Sequence, residues 1–224
     1  MTDAPDRAYW RVGYHADPDG FVPLELCTFN HRFYDVQQRF RSIYAAELAE
    51  TALREVLADL RPKAAAIRRY VERFGPDAAD DVPALPVTAS WRQQHVLVQV
   101  RPVLDGPLID LCDADVRYEV ELEHAALLAA HGMDHLDLSQ ITADKRPVTQ
   151  TIAAHLHDRL GAAAIRFPSR LDGNACLVVF EGRGRLETLA VPVALTDPAP
   201  PALQNVCAGW RLALQPATAL VDHD

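Results

Sequence analysis

Apolar residues recur at helical spacing between Glu47 and Leu60. Leu48, Ala52 and Val56 form one track, with Leu53, Leu57 and Leu60 beside it. This wide apolar stripe predicts an amphipathic helix. Pro62 interrupts it, and a second helix is predicted to run on to Phe74, before Gly75-Pro76. The pattern then changes period. Gln94–Val100 (QHVLVQV) alternates apolar and polar positions as a half-buried strand does, and Leu108–Cys112 is a short apolar run. Glu119–Ala130 and Val148–Leu160 read as helices. Ala163–Phe167 and Cys176–Phe180 read as strands around the turn SRLDGN, and Leu186–Val193 as a further strand. The first forty residues mix aromatics, arginines and turn formers, which suits short strands and loops. Residues 75–90 read as a loop, and Asp197-Pro-Ala-Pro-Pro201 as a stiff connector before a last apolar segment, Trp210–Leu214.

Strands scattered among helices, without regular alternation, predict an α+β domain with mixed sheets and surrounding helices. The 224 residues, 49 % hydrophobic, are expected to form a single domain over 1–224 that needs no disulfide or metal staple. No apolar run reaches the roughly 18 residues of a membrane span. The opening MTDAPDRAYW lacks the basic-then-apolar layout of a secretory signal, so a cytoplasmic location is expected. Cys27, Cys112, Cys176 and Cys207 are widely spaced and suit reduced thiols.

The formal charge is −9, and its excess lies after Phe74, where 20 acids face 11 bases. The one dense basic stretch, Arg61, Lys63, Arg68, Arg69 and Arg73, has Glu72 within it and reads as a solvated helix face. Nucleic acid is not expected as a direct partner. His131/His135 and His155/His157 have no third ligand at tetrahedral spacing, so no metal is expected. The dinucleotide fingerprint GxGxxG, the P-loop and the nucleophile elbow GxSxG are all missing.

What remains is a set of polar residues in apolar surroundings: Arg11 in YWRVGY, Arg32 in NHRFYD, Tyr44 at the end of RSIY, and Glu55 on the first helix. On the wheel, Glu55 sits at the edge of the apolar stripe. There it is either a surface glutamate paired with Arg54 or Arg61, or a carboxylate facing a site.

The order and spacing of these residues resemble the signature of the RES domain family, named for Arg, Glu and Ser. WRVG resembles its N-terminal arginine motif and HRF its second arginine motif. Tyr44 and Glu55 stand eleven apart, as in the family's tyrosine–helix–glutamate signature. RPVTQTIAAHLHDRLGAAAIRFPSRLDGNACLVVFE resembles its second signature, a Gln-x-Ile-Ala helix leading to a strand that ends in Pro-Ser-Arg. The resemblance spans Tyr9 to Glu181, leaving 182–224 as a C-terminal strand region. Asn30-His31, where many members have glycines, and Val12, where some have tyrosine, depart from the pattern.

The resemblance implies an ADP-ribosyltransferase-like fold and an NAD-consuming toxin of a two-gene toxin–antitoxin module. Such a toxin cleaves the nicotinamide–ribose bond with phosphate or water as acceptor. ADP-ribose transfer to a protein, or a catalytically silent partner-binding module, are the alternatives. By position, Glu55 and Arg11 become catalytic, while Arg11, Arg32, Tyr44, Ser169 and Gln150 bind NAD. Ser169, or else Thr149 or Gln150, supplies the family's serine contact. The implied partner is an antitoxin covering the pocket, with a homo-oligomer also possible. NAD enters as substrate rather than cofactor, with phosphate a possible co-substrate.

The residue types suit that chemistry. Nicotinamide leaves as a neutral base, so no general acid is required, unlike ordinary glycoside hydrolysis. A carboxylate stabilises the cationic ribosyl transition state, and forked guanidinium donors match a diphosphate.

Overall fold

The computed structural model describes residues 7–27, 31–82, 84–143 and 146–218. In chain order the elements are β1 (Tyr9–Tyr14), β2 (Ser42–Ala46), α1 (Ala49–Leu57), α2 (Ala64–Phe74), α3 (Ala89–Gln94), β3 (His95–Leu104), β4 (Leu108–Asp110), α4 (Ala114–Glu123), α5 (Ala125–Ala130), α6 (Leu138–Thr142), α7 (Arg146–Leu160), β5 (Ala164–Pro168), β6 (Ala175–Phe180), β7 (Gly184–Thr188), β8 (Val193–Ala194) and α8 (Pro201–Trp210). The predicted α+β class holds.

The strands form one mixed sheet in the order β4-β5-β6-β2-β1-β3-β7, with β8 pairing β3. Only β4 and β5 run parallel among these pairs. Central β6, ACLVVF, is buried at every position. Cys176, Val178 and Phe180 enter the main core beneath the helices, while Leu177 and Val179 enter a second cluster on the opposite face with Tyr9, Ile43 and Val98. A strand covered on both faces loses its apolar–polar alternation, which is why this segment reads as a continuous apolar run.

Helix α1 buries Ala52, Leu53 and Leu57 and turns Glu55 and Val56 outward. The helix predicted from Glu47 starts two residues later and continues past Leu57 as a 3₁₀ turn, Ala58–Leu60. Helix α2 ends at Phe74 and buries none of its residues, as a solvated face requires. Tyr44 lies in the middle of β2 rather than at its end. The predicted helix at Glu119–Ala130 is two, α4 and α5, meeting at His124. Within 75–90, Pro76–Asp81 forms a 3₁₀ turn and Ala89 opens α3.

The C-terminal segment departs most from the sequence reading. After β7 and β8 it forms α8, which buries Leu203, Val206 and Cys207. Pro200 is its N-cap and Pro201 its first residue, where a missing N–H costs nothing and a preset φ helps. The proline cluster is thus a helix start, not a connector. Beyond α8, Leu214 bridges Val87.

Candidate active site

The site is built around an interruption in the sheet. β1 registers with β3 along all six of its residues, but with β2 only at Trp10 and Ala46. Past that pair the β1–β2 ladder stops, and Arg11 serves the gap. Its Nη1 donates to Tyr44 O at 3.1 Å, Nε to Pro18 O at 3.0 Å and Nη2 to Gly20 O at 3.2 Å. A guanidinium here replaces ladder hydrogen bonds with three charge-assisted ones. Burial lowers the Arg11 pKa to about 10, with Tyr34, Asp17 and Asp19 acting in the other direction, so it remains charged at neutral pH.

Above the gap lies a cavity of about 630 Å³, a size suited to a small-molecule ligand. β1, β2 and α1 line it, together with residues between β1 and β2. Its walls carry Arg11, Arg32, Arg146 and Arg170 against two carboxylates, Glu55 and Asp59. That is a local excess of positive charge in a chain whose formal charge is −9.

Glu55 projects from the exposed face of α1 into this cavity. Ser169, one residue beyond β5 and 3 % exposed, donates its hydroxyl to Glu55 Oε1 at 2.6 Å. The same hydroxyl accepts Leu171 N–H at 3.1 Å. Ser169 is therefore both a turn-forming serine and the partner of Glu55. Its turn is tied to α1 through Asp172, which accepts from Thr51 Oγ1 at 2.8 Å and Arg54 Nη1 at 2.9 Å. Asn174 Nδ2 adds a bond to Thr51 Oγ1 at 3.2 Å. Arg54 is thus spent on Asp172 and Glu50 rather than on Glu55.

Tyr44 and Ser42 on β2 hold the 31–34 segment. The Tyr44 hydroxyl accepts Phe33 N–H at 3.2 Å, and Ser42 Oγ donates to Phe33 O at 3.1 Å. Burial, then the neighbouring Tyr34, raises the Tyr44 phenol well above its ordinary pKa, so it stays protonated. The Tyr44 ring lies against His31, Tyr34 and Phe167, with centroids 5.7, 5.8 and 6.3 Å away.

Two residues expected to bind NAD, Arg32 and Gln150, also hold this segment. Arg32 lines the cavity, yet its Nη1 donates to Ile141 O and to Ala143 O (2.7 Å), and its Nη2 to Thr142 O at 3.0 Å. A guanidinium over these orphan carbonyls caps the C-terminus of α6 and meets the negative end of its dipole. Gln150 Nε2 donates to His31 O at 3.0 Å. Thr149 is buried and donates to Arg146 O. Asn30 lies outside the described residues. Arg39 and Arg41 sit away from the cavity, paired with Asp35 and Asp158 and with Glu181.

Tyr14, Tyr34, His95, Arg146 and Arg170 also line the cavity, though the sequence reading proposed none of them as a site residue, as does His31, noted there only as a departure from the family pattern. A signal existed for two of them, since Arg170 completes Pro-Ser-Arg and Arg146 opens the Gln-x-Ile-Ala helix. The histidines and tyrosines had no such mark. Among the described residues, no three His, Cys, Asp or Glu side chains are grouped to hold a metal ion.

The family model for the RES domain matches residues 8–204, further toward the C-terminus than the motifs themselves extend. No curated protein matches the chain. Among solved structures, the crystal structure of the M. tuberculosis MbcT–MbcA toxin–antitoxin complex contains a chain of similar fold. It is 18 % identical, with a TM-score of 0.52, and the match covers 90 % of this chain and 89 % of that one. The match over residues 8–204 shows that this chain belongs to the RES domain family.

Proposed function

We propose that this protein is the NAD-degrading toxin of a toxin–antitoxin module, cleaving the bond between nicotinamide and ribose. The observation that carries the reading is Glu55, held by the Ser169 hydroxyl at 2.6 Å, on the wall of an arginine-rich cavity in an acidic protein. Such a cavity suits an anionic ligand that develops positive charge as it reacts, which describes NAD.

In the step proposed, the C1′–N1 bond breaks and its electron pair stays on nicotinamide, which departs neutral. The ribosyl carbon then bonds an oxygen of water or phosphate, and a water nucleophile releases its proton to solvent. Glu55 supplies the fixed negative charge beside the cationic ribosyl group. Ser169 occupies Oε1 and orients the carboxylate, leaving Oε2 for the sugar. The Tyr44 ring packs beside the nicotinamide end, Arg146 and Arg170 attract the diphosphate, and Arg11 adds charge from beneath. A partner antitoxin accords with family membership and with the similarity in fold to a chain of a toxin–antitoxin complex.

The test is to incubate the purified protein with NAD, with and without phosphate, and follow nicotinamide together with the ADP-ribose product. Phosphate-dependent release yielding a phosphorylated ADP-ribose identifies a phosphorylase, and release without it a glycohydrolase. Label appearing only on added protein identifies an ADP-ribosyltransferase. No release under any of these conditions overturns the reading.

A further inference from the structure

The aromatic group at the β1–β3 end of the cavity has no part in the proposed bond cleavage. Tyr14 and His95 are register partners on β1 and β3, and both line the cavity. Their ring centroids are 4.7 Å apart, and the imidazole also stacks on Trp91 at 4.7 Å.

His95 is held in one tautomer. Its Nδ1 lies 2.8 Å from Trp91 O, and a carbonyl only accepts, so Nδ1 carries the proton. In the neutral ring Nε2 is then an acceptor. Burial lowers the His95 pKa and the Arg11 charge adds to the effect, while the bond to Trp91 opposes both. The ring is neutral near pH 7.

The distance between the two ends matters. Ser169 follows β5 and His95 opens β3, with β6, β2 and β1 between them. Four interstrand spacings of about 4.8 Å amount to roughly 19 Å across the sheet. The interrupted β1–β2 ladder lies within that span. A mononucleotide anchored at Glu55 falls short of this end, whereas an extended dinucleotide reaches it.

We infer that Tyr14 and His95 form the subsite for the second base of the dinucleotide, with Tyr14 packing the ring and His95 Nε2 accepting from an exocyclic amino group. The inference rests on the proposed function and adds the specificity of its distal end. An acceptor at that position favours a 6-aminopurine. It opposes a 6-oxopurine, which would set one lone pair against another.

The test measures binding in the Glu55→Gln background, which slows turnover. The probes are NAD, its hypoxanthine analogue and nicotinamide mononucleotide, titrated by calorimetry. NAD is expected to bind at least about tenfold more tightly than the hypoxanthine analogue, as when a site's hydrogen-bonding group loses its partner. Adding His95→Phe keeps a ring against Trp91 and Tyr14 but removes the acceptor. It should cut the preference to within about twofold and leave the mononucleotide unaffected. His95→Gln, whose amide oxygen can stand near Nε2, should retain part of the preference. Equal binding of the two dinucleotides before His95 is changed, or an equal loss for the mononucleotide in His95→Phe, overturns the inference alone. If no probe binds, the proposed function falls and this inference with it.

Discussion

The Ser169 hydroxyl stands between a backbone N–H and a carboxylate, accepting from Leu171 N at 3.1 Å and donating to Glu55 Oε1 at 2.6 Å. The accepted N–H commits the hydroxyl proton toward Glu55, so Ser169 joins the turn after β5 to helix α1 alongside the Asp172 and Asn174 bonds to α1. Removing either partner therefore has different consequences.

Glu55→Gln keeps size and hydrogen-bonding reach but removes the charge. Nicotinamide release is expected to fall at least about 100-fold, near 3 kcal/mol, the scale of losing one electrostatic contact to a transition state. Because Glu55 is exposed to the cavity, thermal stability should change little. A well-folded variant with undiminished release would remove Glu55 from the reaction.

Ser169→Ala leaves the carboxylate charged but unoriented and loosens the turn before Leu171. The expected loss is about 1–3 kcal/mol, the range for an unsatisfied buried polar partner, read mainly in kcat. Steady-state kinetics beside a melting curve separate the two parts. A fall in stability with kcat intact would confine Ser169 to the turn.

Arg11→Lys retains a charge but cannot reach the carbonyls of Pro18, Gly20 and Tyr44 together. Two partly buried carbonyls left short of donors imply about 2–4 kcal/mol of lost stability, a fall of roughly 4–16 °C in Tm. Calorimetry on the free protein decides this. Unchanged melting with weakened NAD binding would instead assign Arg11 to the ligand.

Arg146 and Arg170 line the cavity from the start of α7 and from the residue after Ser169. If they attract a diphosphate, alanine at either position raises KM for NAD about tenfold or more while changing kcat less. The wild-type KM should also rise with salt. A selective fall in kcat would place them at the reacting ribose.

Asp35 gives a pH signature away from the site. It is 1 % exposed and accepts Arg39 N–H and Nε–H at 2.8 Å and Nη2–H at 3.0 Å. Burial pushes its pKa up, but the bonds from Arg39 outweigh this and hold it below the ordinary 3.8. The folded state thus binds fewer protons than the unfolded one in this range. The stabilisation is complete above the unfolded value and is lost as pH falls through the folded one. Asp35→Asn should melt lower than wild type at pH 7, with the gap narrowing in acid. A gap independent of pH would make the loss one of packing rather than charge.

Periodicity determined that α1 is amphipathic and that His95–Val100 is a strand, although Gln94 itself closes α3, and a short apolar run next to turn formers marked Cys176–Phe180 as a strand. Each follows from apolar spacing along a single element, which is local information. The spacing of Tyr44, Glu55 and Ser169 within motifs also singled out the pair that the fold brings to 2.6 Å. The helix at Pro201 was missed because a proline cluster marks a helix start as readily as a connector, and only packing against α1 distinguishes the two. The arginines mark where sequence stops being informative. A guanidinium binds a diphosphate or a row of carbonyls with the same forked donors. Which it meets at Arg11 and Arg32 depends on the Pro18–Gly20 turn and the end of α6, set beside them by the tertiary structure. Tyr14 and His95 lie 81 residues apart in the chain, and only antiparallel register between β1 and β3 makes them one surface.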